Sequence, residues 1–166
     1  VEVNGVLYIA GEYRGASIIS KYDVANSEWL TPIGFAMTDI SAMETDGTDL
    51  FVAYRSAGIM HLASNGTQVA SWSSTNCWDI SSEILSMDVD GGHVIISLED
   101  GGFSIINRSS GVCIQYDTTN GIPTSLLGDA VLNGGKAYVA SEDKGVLRYD
   151  IANDSWLTPW GSTGIN

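Results

Sequence analysis

The sequence predicts an all-β chain made of four copies of one unit, and three observations carry that prediction. Strand-like cores centred on Tyr8, Phe51, Ile95 and Tyr138 recur at spacings of 43, 44 and 43 residues. Each core residue is followed by an apolar and then a small residue: Ile9-Ala10, Val52-Ala53, Ile96-Ser97 and Val139-Ala140. Each is followed seven residues later by a glycine, at Gly15, Gly58, Gly102 and Gly145. A period of this length marks a repeat architecture, in which a unit buries its faces against its neighbours.

Each copy reads as four short strands. The opening strands are Ile40–Thr45, Ile84–Val89 and Leu127–Leu132, and the first copy lacks most of its own. The second strands, Val6–Ala10, Leu50–Tyr54, Val94–Leu98 and Ala137–Ser141, are continuous apolar runs, the pattern of a strand buried on both faces. The third strands are Ile18–Asp23, Ile59–Leu62, Phe103–Asn107 and Val146–Asp150. The fourth, such as Gln68–Trp72 and Val112–Tyr116, are more mixed, as edge strands are. Outer aromatics at Trp29, Trp72, Tyr116 and Trp156 are expected to occupy one equivalent position and pack between sheets.

Turn chemistry marks the joints. Asn4-Gly5, Asp46-Gly47, Asp90-Gly91 and Asn133-Gly134 stand between first and second strands, where type I′ hairpins favour Asn-Gly and Asp-Gly. Asn65-Gly66 and Ser110-Gly111 stand between third and fourth strands. The glycine after each core is expected to take a positive φ as the chain enters the third strand. No stretch carries a 3.6-residue apolar period, so no helix is expected.

Four antiparallel strands per repeat of about 40 residues, with the central strands covered on both faces, describe a β-propeller blade. The expected blades run approximately 1–32, 38–73, 82–118 and 125–159, in a single domain or half-domain spanning 1–166. In repeat register, Thr163-Gly164-Ile165-Asn166 matches Thr38-Asp39-Ile40-Ser41, and Val1–Gly5 matches Met43–Gly47. Residues 163–166 therefore complete the opening strand of the first blade, either within one chain or in a partner chain. The second case makes a homodimer, a half-ring closing into an eight-bladed propeller. Four blades cut from a longer parent are the third possibility.

Composition narrows the partners. The net charge is −13, with 20 acidic residues against 7 Lys plus Arg. Nucleic acid and anionic membrane surfaces require a basic face, so neither is expected as a partner. No apolar run reaches the roughly 18 residues of a membrane span. The chain opens on Val1, so the lack of a leader is uninformative about compartment. The two cysteines, Cys77 in a linker between blades and Cys113 at the start of an outer strand, either form a disulfide or stay as free thiols.

The fourth unit carries Gly121-Ile122-Pro123, then Ser125, then Tyr138-Val139-Ala140, then Gly145-Val146-Leu147-Arg148-Tyr149-Asp150. This resembles the two-component regulator propeller repeat. Residues Gly15 to Asp23 match it fairly; the middle copies lack the Gly-Leu-Pro and closing Tyr-Asp elements, and Trp is usual where Tyr8 and Tyr138 stand here. The resemblance implies a propeller, often in an extracytoplasmic sensor or surface protein, and implies no catalytic residues.

Chemistry-bearing groups are few. The turns Asp46-x-x-Asp49 and Asp88-x-Asp90-Gly91 offer oxygen ligands for calcium or, alternatively, serve as turn residues; no cofactor is expected. His61 and His93, the only histidines, are expected in structural or solvent-facing roles. Asn65, Asn107 and Asn153 open Asn-x-Ser/Thr sequons near outer turns. The loops joining second and third strands share a face with the linkers between blades. That candidate ligand-binding face comprises Tyr13, Arg14, Tyr54, Arg55, Trp78, Glu99, Asp100, Glu142, Asp143 and Trp160. Aromatic and Arg side chains dominate binding hot spots. The expected function is therefore a non-enzymatic recognition or scaffold module, extracytoplasmic or at the cell surface, with a protein or glycan ligand. One alternative is a propeller lyase or hydrolase using channel carboxylates such as Glu44, Asp88 and Asp129. The other is a purely structural repeat array.

Overall fold

A computed structural model describes residues 1–34, 39–78 and 82–161 of the chain. They form sixteen strands. β1 (Glu2–Val3), β2 (Val6–Tyr13), β3 (Ala16–Asp23) and β4 (Glu28–Gly34) make the first sheet. β5 (Ile40–Thr45), β6 (Leu50–Tyr54), β7 (Gly58–Leu62) and β8 (Gln68–Trp72) make the second. The third sheet is β9 (Ile84–Val89), β10 (His93–Leu98), β11 (Gly102–Asn107) and β12 (Cys113–Tyr116). The fourth is β13 (Leu127–Asn133), β14 (Lys136–Ser141), β15 (Gly145–Asp150) and β16 (Ser155–Trp160). Every sheet is an antiparallel meander in chain order, so the four expected strands per repeat are present, and β1 is indeed cut to two residues. No helix among the described residues is long and apolar enough to cross a membrane. Residues 163–166, expected to complete the first blade, lie outside the described residues.

The chain divides into two compact units, Val1–Ser73 and Ser74–Asn166. In the first, Leu50, Val52 and Tyr54 of β6 bury against Val3, Tyr8 and Ile19 of the first sheet. In the second, Ala137, Val139, Leu147 and Tyr149 of the fourth sheet bury against Ile95, Phe103, Ile105 and Tyr116 of the third. Full burial of a side chain such as Ile19 or Leu50 contributes roughly 1.5–3 kcal/mol. The contact is thus between alternate residues of facing sheets, as period-2 side-chain alternation dictates.

β6 and β10 are buried on both faces or nearly so, as the apolar runs predict. β2 and β14 are not: in β2 Tyr8 alone is fully buried, in β14 burial alternates at Ala137 and Val139, and one face of the first sheet and one of the fourth are open. Sequence could not separate these cases, because the apolar run is the same in all four repeats.

The outer aromatics also differ from expectation. Trp29 pairs with Tyr22 and Trp156 with Tyr149, whereas Trp72 pairs with Ile59 and Tyr116 with Phe103. The third-strand partners are not equivalent in the repeat, so the four rings do not share one side of the blade. Trp160, opposite Val146, takes the register of Tyr116. The cause is the irregular register of β4, β8 and β16, each of which shifts by bulging, and a one-residue slip turns a side chain to the other face.

The repeated glycine has two duties. Gly15, Gly58, Gly102 and Gly145 all have positive φ, at 76°, 121°, 79° and 76°. A Cβ at Gly58, Gly102 or Gly145 would also run into the carbonyl oxygen of Trp72, Tyr116 or Trp160 respectively. The outer strand closes directly over the turn, and only hydrogen fits.

The hairpins are partly as expected. Asn4 and Gly5 have φ of 51° and 79°, a type I′ pair. At Asn133 the pair is shifted to Gly134 and Gly135, with φ of 57° and 73°. Asp46 and Asp90 instead close wider turns through their carboxylates. Asp46 Oδ1 accepts from the amides of Thr48 and Asp49, both at 2.8 Å. Asp90 Oδ1 accepts from Gly92 and His93 at 2.8 and 2.7 Å.

Cys77 and Cys113 form a disulfide with Cα atoms 5.2 Å apart. It ties the segment after β8 to the start of β12, inside the second unit.

Candidate functional site

The loops between second and third strands are two- to three-residue turns whose backbone is fixed by positive-φ residues. In the first unit, Arg14 (φ 54°) and Gly15 (φ 76°) turn β2 into β3. Tyr13 and Arg14 are exposed there, and the guanidinium lies 5.1 Å from the Tyr13 ring centroid. Such a stack holds an arginine without hiding its donors. Arg55 is exposed on the turn after β6, where its amide donates to the Asp39 carbonyl at 2.8 Å. Tyr54, expected on this face, is instead fully buried among Leu50, Val52 and Ile19. Burial pushes its phenol up to about 12. As the last residue of a β6 strand that is buried throughout, it is a core side chain and offers nothing to a ligand.

In the second unit, Glu99 and Asp100 are exposed on the turn between β10 and β11. They rim an open polar depression with Ser82, Gln115, Asp117 and Thr119. Gln115 Nε2 donates to the Gly101 carbonyl at 2.7 Å and so locks the turn to β12. Hydrogen bonds from Thr119 hold the Asp117 carboxyl below the usual carboxylate range. The residues 115–119 were missed by sequence reasoning, although Asp117-Thr118-Thr119 carries an Asx-turn signal. Glu142 and Asp143 are exposed on the turn between β14 and β15. Asp143 meets Lys144 at 2.9 Å and accepts from the Ser141 hydroxyl at 3.0 Å.

Two aromatic expectations change. Trp78 is buried next to the disulfide rather than displayed. Trp160 is exposed, but it belongs to β16 rather than to a linker. Its ring sits 5.4 Å from Tyr138 and carries the Arg148 guanidinium at 4.2 Å, on the open face of the fourth sheet. Sequence gave no hint of this trio, because a strand bulge brings Trp160 level with β14.

The acidic groups considered for calcium or catalysis are engaged by the fold. Asp49 Oδ2 lies 2.7 Å from His61 Nε2, and the buried imidazole stacks on Phe51 with centroids 4.3 Å apart. Asp88 Oδ1 accepts from the amide of Val89 at 2.9 Å, and Oδ2 from Leu132 at 2.6 Å. Ser86 Oγ likewise accepts from the Ala130 amide at 3.1 Å. These side chains cap the otherwise open edge of β13, a device that suppresses unwanted strand addition. Asp129 Oδ1 accepts from the amide of Ala130 at 3.0 Å. Among the described residues no three His, Cys, Asp or Glu side chains gather as a metal group.

A groove of different character opens between the third and fourth sheets, lined by Ile105, Val112, Ile114, Tyr149, His93 and Asp154. Tyr116 donates to the Tyr149 hydroxyl at 2.5 Å, and Tyr149 donates to Asp154. Burial raises both phenols above their ordinary range.

No protein-family model and no curated protein matches this chain. Solved structures do resemble it. "Structure of U3-55K" superposes with a TM-score of 0.66 at 15% identity, over 94% of this chain and 55% of that one. "Crystal structure of RRP9 WD40 repeats" gives a TM-score of 0.67 at 15% identity, over 96% and 55%. "Structure of the Neurospora crassa Pan2 WD40 domain" gives 0.67 at 12% identity, over 95% and 51%. The fold is that of β-propeller blades, and the chain spans about half the length of the propellers it resembles. None of these three structures is described as a two-component regulator propeller.

Proposed function

We propose that this chain is a non-enzymatic recognition and scaffold module, presenting side chains on rigid turns to a protein or glycan ligand. The observation that carries this reading is the construction of the turns between second and third strands. They are short, their backbone is fixed by residues such as Arg14, Gly15, Asp100 and Gly102 at positive φ, and the exposed side chains are charged or aromatic. A ligand meeting Tyr13, Arg14, Arg55, Glu99, Asp100, Glu142 or Asp143 orders little backbone, which lowers the entropic cost of association. The test is binding of the chain to a glycan array and to a displayed random-peptide library. A selected binder should lose at least tenfold in affinity on Arg14→Ala or Arg55→Ala. Binders that ignore both substitutions, and equally all four acidic turn residues changed to Asn or Gln, overturn the reading.

The Cys77–Cys113 disulfide supports an extracytoplasmic or surface location, since such bonds persist in oxidising compartments. The likeness of Gly121–Asp150 to the two-component regulator propeller repeat supports the sensor setting. The four blades act as one half-domain that self-associates, with the short β1 completed by a terminal segment of a second copy.

A further inference from the structure

The strongest unassigned features are the open faces of the first and fourth sheets. Each blade has two sides. On one, the second-strand residues Leu50, Val52 and Tyr54 of the second sheet dock onto the preceding sheet. Ala137 and Val139 of the fourth sheet dock onto the third in the same way. The equivalent residues of the first sheet are Leu7 and Ile9, and they have nothing to dock on. Leu7 is 36% and Ile9 42% exposed, whereas Leu50 is 1% and Val52 0% exposed. Tyr22 and Trp29 pair beside Leu7 and widen this apolar face, and Trp29 is 65% exposed. On the opposite side of the blade, Ile95 and Ile105 of the third sheet receive the fourth. Their equivalents in the fourth sheet are Tyr138 and Arg148, which pair with Val131 and Leu157 and with Trp160 nearby form the second open face.

The two faces are therefore the two halves of one contact that the chain already makes within each unit. They also match in charge. The chain has only seven Lys plus Arg. Two of them, Lys136 and Arg148, lie on the open face of the fourth sheet with Asp150. The open face of the first sheet carries Glu2, level with Leu7. Arg148 donates to the Thr158 carbonyl at 3.2 Å, but its buried Nε finds no partner among the described residues.

We propose that a second copy of this chain covers both faces, docking the fourth sheet of each copy onto the first sheet of the other. The interface is heterologous, because each chain offers one face of each kind, and the proposed assembly is the ring that two copies close. The inference rests on the self-association named above and specifies its surface: apolar sheet faces centred on Ile9 and Trp29 against Tyr138 and Trp160.

Light scattering across a concentration series tests it, using the full chain, Ile9→Asp, Trp160→Asp and a chain ending at Gly161. The wild-type chain is expected at twice 17.6 kDa. Each face variant is expected to weaken association by about 100-fold or more. Both positions are exposed in a single copy, and an unchanged thermal melt of the monomer verifies folding. Mixing Ile9→Asp with Trp160→Asp should restore dimers, because one of the two interfaces is then wild type on both sides. Failure to restore them, or variants that dimerise normally, overturns the face-to-face arrangement. If the shortened chain alone fails to dimerise, strand completion stands and the sheet-face inference falls. A wild-type monomer at every concentration overturns both.

Discussion

Alanine at Gly102 should destabilise the second unit far more than alanine at Gly135, although both glycines have positive φ. The angles are 79° and 73°, so the conformational penalty for an L-residue is shared. That penalty is about 1–2 kcal/mol. Around Gly135 no atom comes within 4 Å of an added Cβ. At Gly102 the Cβ would collide with the backbone carbonyl of Tyr116, whose strand is held by four residue pairs to β11. A backbone group cannot swing aside as a side-chain tip does, so β11 and β12 must separate locally. Overpacking of this kind adds about 1–3 kcal/mol. The expected losses are therefore about 1–2 kcal/mol for Gly135→Ala and roughly 2–5 kcal/mol for Gly102→Ala. Urea unfolding followed by tryptophan fluorescence measures both. With a slope of about 2 kcal/mol/M, the Gly102 variant should unfold at a midpoint about 0.5–1.5 M below that of the Gly135 variant. Equal midpoints would refute the claim that close approach by the outer strand, rather than φ alone, fixes glycine in this repeat.

Further expectations concern the cross-link, acid and the strand edge. Cys113→Ser opens a loop of 36 residues; on the chain-entropy estimate this costs roughly 4 kcal/mol. It should lower the melting temperature by on the order of 10 °C, and unfolding without reductant should expose no thiol to alkylation in the wild type. Stability should also fall on acidification below about pH 4. Hydrogen bonds from Asn153 hold the Asp150 carboxyl below its ordinary range, and Asn26 does the same for Asp23. A carboxyl depressed in the folded state gives stability that is complete above the unfolded value and is lost as pH falls through the folded one. Urea midpoints between pH 2 and 6 should therefore decline toward acid, and Asp150→Asn should flatten the decline; a pH-independent midpoint would sink this assignment. Asp88→Ala strips the Leu132 amide of its acceptor, at about 1–3 kcal/mol, and should raise aggregation measured by turbidity on storage, since the β13 edge is no longer capped.

Much of the fold was legible because it is local and repeated. Tyr8, Phe51, Ile95 and Tyr138 lie on the second strands, as their spacing requires, and β5, β6, β8 and β9 have the boundaries that apolar runs and turn residues set. The candidate face was legible only in part. Arg14, Arg55, Glu99, Asp100, Glu142 and Asp143 are exposed on turns, and Tyr13 is exposed at the end of β2, which runs three residues beyond the expected Ala10. Tyr54 and Trp78 are buried, which depends on what packs over a strand end and a linker. Both carry the same aromatic signal as an exposed binding residue.

The sequence by itself determined the repeat period, the strand count and the glycine positions, since these rest on side-chain alternation and backbone sterics within a few residues. Tertiary structure decided the rest. It brought Cys77 to Cys113 across 36 residues, turned Trp160 rather than Trp156 onto Tyr138 through a bulge, and left Ile9 open where Val52 is closed. The last depends on whether a second sheet lies beside the first, and an apolar run reads the same whether its neighbour is present or absent.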